Sequence, residues 1–325
     1  MKVLVTGATG FIGRHLTQVL CEKGYSVRVL VRPSSNINFL KSLNTEIVFG
    51  EITDYGAVTK AVEGCQYIYH LAGKASRTKA LKQSLYAVNV DGTENVARAA
   101  SVANVKRLIY GSSCGVYGII KNPPANETTS TFPNTPYRQS KLLGEKILLS
   151  YYKKTGLPVV IARLSSVIGY GSLTWLGLCK AIVSEKFRLI GKGDNYMQFS
   201  HVLDTVDGLI KCALTPNIVG NCYIIADEQA VQLNHFVNMM AQELGVKLTQ
   251  HNNPKLPFQL FFSLSQIIKD LSDFELPRSH QYEMFLTNRI LTITKAQKEL
   301  DYHPSIPFRQ GVHETIQWYK EQGRL

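Results

Sequence analysis

Ser113, Tyr137 and Lys141 are the side chains whose types and spacing point most directly to chemistry. Tyr137 and Lys141 stand four residues apart, so on a helix both project from one face. A phenol with an ordinary pKa of about 10 is a poor base near neutrality. A lysine ammonium beside it, together with an oxidised nicotinamide, stabilises the phenolate and lowers that value. Ser113 is suited to hydrogen-bond a substrate oxygen and hold it in line. The phenol then takes a proton from a hydroxyl or gives one to a carbonyl. Alone, Tyr-x-x-x-Lys is a weak motif, because exposed Tyr/Lys pairs are common on helices. Its weight depends on the elements around it.

The elements begin at Val3-Leu4-Val5-Thr6-Gly7-Ala8-Thr9-Gly10-Phe11-Ile12-Gly13. A β-branched run ends at a glycine turn, and helical spacing follows at Phe11, Ile12, His15, Leu16, Val19 and Leu20. Gly7 permits the turn, Gly10 lets a pyrophosphate approach, and Gly13 lets the helix sit close on the strand. The helix start, with Thr9, Phe11 and Ile12 around it, offers free N–H groups to an anion. A second strand, Tyr25 to Val31, ends at Arg32. An acid there would select NAD(H) through the ribose hydroxyl, whereas Arg32 suits a 2′-phosphate or stacks on adenine. The expectation is therefore NADP(H) before NAD(H); a plain solvated arginine is the rival reading.

Further strands are expected at Glu46 to Phe49, Gln66 to His70, Val105 to Tyr110 and Pro158 to Ala162. The fourth strand opens into Leu71-Ala72-Gly73, small enough for close cofactor approach. One long helix is expected from about Lys79 to Ala100, carrying Asn89, and another from Lys141 to Tyr152. Strand–helix alternation predicts an α/β fold, a Rossmann-type doubly wound parallel sheet. Function should sit at the carboxyl ends of its strands. Beyond Gly171 the rhythm loosens into helices at Leu173 to Glu185, Val202 to Leu214 and Leu233 to Leu244, with a strand at Cys222 to Ile225. Residues 1–171 read as the dinucleotide-binding domain. Residues 172–325 read mainly as a smaller, interwoven substrate-binding lobe, with segments returning to the sheet. The apolar stretch from Leu256 to Leu271 reads three ways: core packing, substrate pocket or membrane-facing surface.

The chain has 325 residues, 45% of them apolar and 18% charged, which suits a soluble globular enzyme. Its net charge of +12 is spread without a basic block carrying interleaved aromatics, which argues against nucleic acid. An anionic dinucleotide and a solvated basic surface account for the charge, which would also favour peripheral contact with acidic lipid. Six scattered cysteines form no C-x-x-C pair, so reduced, mostly buried thiols are expected, with no disulfide framework and no metal site. The strand-like N-terminus shows no signal-peptide pattern, so the cytoplasm is the expected compartment.

Taken together, the motifs resemble those of extended short-chain dehydrogenases/reductases of the NAD(P)-dependent epimerase/dehydratase and 3β-hydroxysteroid dehydrogenase group. The carrying residues are Thr6 to Gly13, His70-Leu71-Ala72-Gly73, Asn89-Val90-Asp91-Gly92-Thr93, Ser112-Ser113 with Val116-Tyr117-Gly118, Tyr137 with Lys141, and Phe199-Ser200-His201-Val202. The resemblance implies Ser113 on the substrate oxygen, Tyr137 as acid/base, and Lys141 on the nicotinamide ribose. It also implies Glu51 and Ile52 near the adenine, Asn89 in the cofactor site, and a helix-mediated homodimer. Departures narrow the reaction. Cys114 and Gly115 stand where 4,6-dehydratases of the family carry an Asp/Glu pair. Ser166 and Met197-Gln198-Phe199 replace diphosphate-handling motifs of nucleotide-sugar epimerases, and Leu286 to Leu291 lacks an Arg-Pro-Gly-Asp.

These departures favour an oxidoreductase acting on a secondary alcohol or ketone of an apolar small molecule, like the steroid-dehydrogenase and dihydroflavonol-reductase branch. The alternatives are a nucleotide-sugar 4-epimerase or ketosugar reductase using Arg163 or Lys192 on phosphate, and a non-catalytic dinucleotide sensor. Arg163 is also a candidate cofactor contact. His70 reads as a packed histidine, His201 as a cap or loop anchor, and Trp175 and Phe187 as core or pocket wall. Lys74 and Arg77 read as solvated.

Overall fold

Ten strands and thirteen helices build two sheets among the residues described by the computed structural model: 1–75, 82–248, 253–272 and 279–325. The larger sheet contains β1 (Lys2–Thr6), β2 (Ser26–Val31), β3 (Thr45–Phe49), β4 (Tyr67–His70), β5 (Arg107–Ser113) and β6 (Val159–Leu164), and it is joined by β9 (Cys222–Ile225). Its order is β3-β2-β1-β4-β5-β6-β9, parallel throughout. Side chains alternate between its faces. Val3, Val5, Val27, Val29, Ile109 and Val160 pack with α1 (Phe11–Glu22) and α8 (Val202–Leu214). Leu4, Ile68, Leu108, Tyr110 and Ile161 pack with α3 (Tyr55–Val62), α5 (Gly92–Val102) and α6 (Pro136–Thr155) on the other face. Helices on both faces make the sheet doubly wound, and both faces of its strands are apolar for that reason. The chain winds outward from β1 to β3, then returns to lay β4 on the other side of β1. That reversal opens a crevice at the carboxyl ends of β1 and β4, where ligands bind in such sheets.

A smaller sheet, β10-β8-β7, contains β7 (Ser166–Ile168), β8 (Tyr196–His201) and β10 (Ala230–Gln232). Its core is Trp175, Phe199, Phe236 and Tyr319, packed with α7 (Leu176–Val183), α9 (Leu233–Leu244) and α13 (Phe308–Glu321). This lobe starts at Ser166, whereas α8, β9 and α12 (Thr294–Leu300) return to the larger core. Residues 255–272 form α10 (Lys255–Ser272), followed by α11 (Ser279–Leu286).

Several expected elements differ. The single helix expected from Lys79 is divided into α4 (Lys82–Tyr86), a π-helical turn over Ala87–Asp91, and α5; Lys79 and Arg77 lie outside the described residues. The π turn carries Asn89, and such bulges insert one residue to re-aim a side chain. β5 and β6 also run further than expected, to Ser113 and Leu164, which pair across the sheet. Ser112 and Arg163 stay in the ladder because Glu145 of α6 receives both side chains.

Candidate active site

The glycine turn closes against β4. Gly7 has φ +78°, and a Cβ on it would lie 2.7 Å from the backbone of Leu71 and Ala72. A Cβ on Gly13 would stand 2.1 Å from the Gly7 carbonyl oxygen, so α1 can sit this close only with glycine there. Gly10 donates its N–H to that carbonyl at 2.9 Å and caps α1. No side chain caps this terminus and no acid occupies its first turn, which leaves its N–H groups and dipole to an anion. The residues present therefore fit a dinucleotide phosphate. Phe11 packs edge-on against His15, whose Nε2 lies 2.7 Å from the Tyr170 carbonyl oxygen and ties the loop after β7 to α1.

Behind the turn, His70 is buried between Thr6 Oγ1 at 2.8 Å and Thr93 Oγ1 at 2.9 Å. Burial, with the Lys141 charge adding, pushes its pKa down to about 3, so it stays neutral and structural. Asn89 is equally enclosed. Its Oδ1 accepts from Lys74 N at 2.7 Å, and its Nδ2 donates to Lys74 O at 3.0 Å and Ser140 Oγ at 2.9 Å. The π turn thus straps the segment after β4 to the first turns of α6. Lys74 Nζ donates to Ser84 Oγ at 2.9 Å, so its ammonium is engaged within the protein.

Thr135 caps α6, accepting from Arg138 N at 3.3 Å, and Pro136 occupies the first helical turn. That start places Tyr137 one turn before Lys141. Lys141 is buried, with Nζ 4.2 Å from the centroid of the Tyr110 ring. A Cβ on Gly73 would lie 4.0 Å from the same nitrogen, so the ammonium reaches the carboxyl end of β4. Burial lowers Lys141 to about 7 while Glu145 opposes the shift. Burial raises the Tyr137 phenol, with the Arg138 guanidinium pulling it down. Ser113 ends β5; its Oγ accepts from Gly115 N at 3.0 Å and keeps its own proton to donate. Ser113 thus ends β5, and the first turns of α6 carry Tyr137 and bring the Lys141 ammonium to the carboxyl end of β4.

Arg163 is a correction. Its Nε and Nη2 donate to Glu145 at 3.0 and 2.7 Å, and Nη1 donates to Tyr117 Oη at 2.9 Å and Glu127 O at 3.3 Å. Burial opposes the guanidinium charge, but the bond from Glu145 more than offsets it and raises its pKa. With every nitrogen engaged inside the protein and its side chain buried, Arg163 clamps β6 to α6 instead of presenting its charge to a phosphate or cofactor. Among the other expected contacts, Arg32 and Glu51 are exposed beyond β2 and β3, while Ile52 is buried under Gly92. His201 caps α8 by accepting from Leu203 N at 3.2 Å and pairs with Glu314 at 2.9 Å. Trp175 lies in the small-lobe core against Phe236, and Phe187 meets Phe285.

The sequence gives no sign of a carboxylate clamp beside this site. Arg138 Nη1 donates to Glu283 Oε1 and Oε2 at 2.8 and 3.0 Å, Arg289 Nη2 to Oε1 at 2.8 Å, and Asn134 Nδ2 to Oε2 at 3.0 Å. Burial alone would raise the Glu283 carboxyl, but Arg289 and Arg138 hold it at about 2. Arg138 fills the space beside Gly115: a Cβ there would be 3.0 Å from Arg138 Cγ and 3.1 Å from Ser113 Oγ. An acidic side chain at position 115 could enter only by displacing Arg138.

The family model described as "NAD dependent epimerase/dehydratase family" matches residues 3–226. A ketoreductase of Stigmatella aurantiaca, named for a 4-hydroxy-2-methyl-3-oxo-4-farnesyl-3,4-dihydroquinoline-1-oxide, is 25% identical over 322 residues, covering 96% of this chain and 95% of its own. A Mycobacterium tuberculosis protein named 3 beta-hydroxysteroid dehydrogenase/Delta 5-->4-isomerase is 27% identical over 335 residues, 98% of this chain and 90% of its own. Among solved structures, gox2253 superposes with a TM-score of 0.86 at 27% identity, covering 99% of both chains.

Proposed function

This chain belongs to the NAD-dependent epimerase/dehydratase family, and from that membership we propose that it moves a hydride between a nicotinamide and a secondary alcohol or ketone on an apolar small molecule. The observation that carries the proposal is the placing of Tyr137 and Lys141 on the first turns of α6, with Lys141 Nζ reaching the carboxyl end of β4 and Ser113 at the end of β5. The cofactor supplies or accepts the hydride; the chain supplies position and protons. Ser113, which accepts from Gly115, donates to the substrate oxygen. At neutral pH the Tyr137 phenol carries its proton, because burial raises its pKa, and that is the form that protonates a carbonyl oxygen. In the reverse direction the phenolate is needed, and the Arg138 guanidinium lowers the cost of forming it. Lys141 would hold the ribose beside the nicotinamide, with Asn89 tying the segment after β4 to α6.

NADP(H) is the favoured cofactor on the exposed Arg32 at the end of β2; Glu51 and Ile52 would lie on the adenine side of that site. An apolar substrate agrees with the farnesyl-bearing and steroid names of two relatives, and with Arg163 being occupied by Glu145 instead of a diphosphate. The decisive test is Tyr137→Phe. It should lower NADPH-dependent reduction of apolar ketones by about 10²–10⁴-fold while leaving NADPH affinity, measured by calorimetry, unchanged. Undiminished turnover removes the phenol from the mechanism. Turnover of a UDP- or GDP-sugar panel in place of apolar ketones would favour the epimerase or ketosugar-reductase reading.

A further inference from the structure

The outer side of α10 carries a row of leucines. Leu256, Leu260 and Leu264 are 64%, 63% and 53% exposed, and their four-residue spacing stacks them in one stripe. The opposite side of the helix is already occupied: Phe262 and Ser265 are buried, and Phe258 and Phe261 lie 5.1 and 5.8 Å from the Tyr282 ring of α11. A surface helix ordinarily turns polar groups outward. This one is apolar on both sides.

A basic collar adjoins the row. Ile190 bridges Asn253 in parallel, with Asn253 N donating to Leu189 O at 2.8 Å and Gly191 N to Asn253 O at 2.9 Å. A Cβ on Gly191 would lie 3.1 Å from Lys255 Cδ, so the lysine stem runs along that strand. This pairing brings exposed Lys192 opposite Lys255 at the start of α10, with exposed Arg188 and Lys186 two and four residues before the bridge. The nearby acids are Glu185 and Asp194, the latter 3.6 Å from Lys255 Nζ, so cations outnumber carboxylates.

We propose that the α10 leucine row docks on an anionic lipid surface, entering the boundary between headgroups and acyl chains while Lys186, Arg188 and Lys192 meet the headgroups. Apolar side chains flanked by cations are what an interfacial helix needs. A second copy of this chain is a poorer occupant, because pairing the rows would bring two basic collars together. The net charge of +12 points the same way. No described helix is long and apolar enough to cross a membrane, so the contact is peripheral. The inference is independent of the proposed reaction.

The test is flotation of the full chain with vesicles of phosphatidylcholine containing phosphatidylglycerol, and with phosphatidylcholine alone. The native protein should float with the anionic vesicles and lose that association in high salt. Leu256→Gln/Leu260→Gln/Leu264→Gln should weaken partitioning about tenfold or more. Lys186→Gln/Arg188→Gln/Lys192→Gln should abolish the preference for anionic lipid. All six side chains are exposed, and thermal melts matching the native protein verify folding. Native protein that stays unbound overturns the proposal, as does a leucine variant that partitions like native. Sedimentation showing a dimer that the leucine substitutions dissociate, without native binding to vesicles, would assign the row to self-association instead.

Discussion

Lys141 should make the cofactor-free protein less stable at pH 6 than a variant without it. Its pKa falls from 10.5 to about 7 on burial. Between those values the unfolded chain holds a proton that the folded chain has released, so stability rises with pH across that window. Below about pH 7 both states are protonated and the folded state bears the full cost. The difference of ~3.5 pKa units corresponds to about 5 kcal/mol. Lys141→Met removes that cost and keeps an unbranched apolar stem beside Tyr110. With unfolding entropy of about 2.1 cal/mol/K per residue, 5 kcal/mol raises Tm by roughly 7 °C in a chain of this length. At pH 9 the remaining cost is about 2 kcal/mol, and the gain in Tm shrinks to roughly 3 °C. Calorimetric melts of both proteins from pH 6 to 9, compared as differences, isolate Lys141 from other titrating groups. Parallel curves, or a variant that melts lower at pH 6, would refute a desolvated ammonium at this site.

Other perturbations test the parts around it. Glu283→Gln leaves Arg138 and Arg289 facing an uncharged amide and should cost about 3–5 kcal/mol at pH 7 by denaturant titration. Because Glu283 is held at about 2 against an ordinary 4.5, its contribution is complete above pH 4.5 and lost as pH falls toward 2. The native and Gln curves should therefore converge at the acid end. Gly13→Ala places a methyl against the Gly7 carbonyl and should abolish NAD(P)H binding by calorimetry while the sheet core survives in circular dichroism. Arg32→Ala should weaken NADPH by about tenfold or more and leave NADH nearly unchanged, since only the former offers a 2′-phosphate. Equal losses would return Arg32 to the solvated surface.

The sequence by itself determined the parts whose physics is local. Gly7, Gly10 and Gly13 sit within one strand–turn–helix unit, where φ and steric room depend on residues a few positions away or on the next strand. The four-residue step from Tyr137 to Lys141 becomes a shared face on any helix. The alternation of strands with helices announced a parallel sheet, and α8, α9 and β9 fall at their expected bounds. Tertiary structure decided what each charged side chain does. Nothing near Arg163 in sequence says that Glu145, Tyr117 and the Glu127 carbonyl will engage its guanidinium, and Glu283 meets Arg138 across 145 positions. The π turn at Asn89 likewise depends on Ser140 and Lys74 being brought to it. Backbone preference is written over a handful of neighbouring residues, whereas the partner of a buried charge is whichever group the completed packing places within hydrogen-bonding reach.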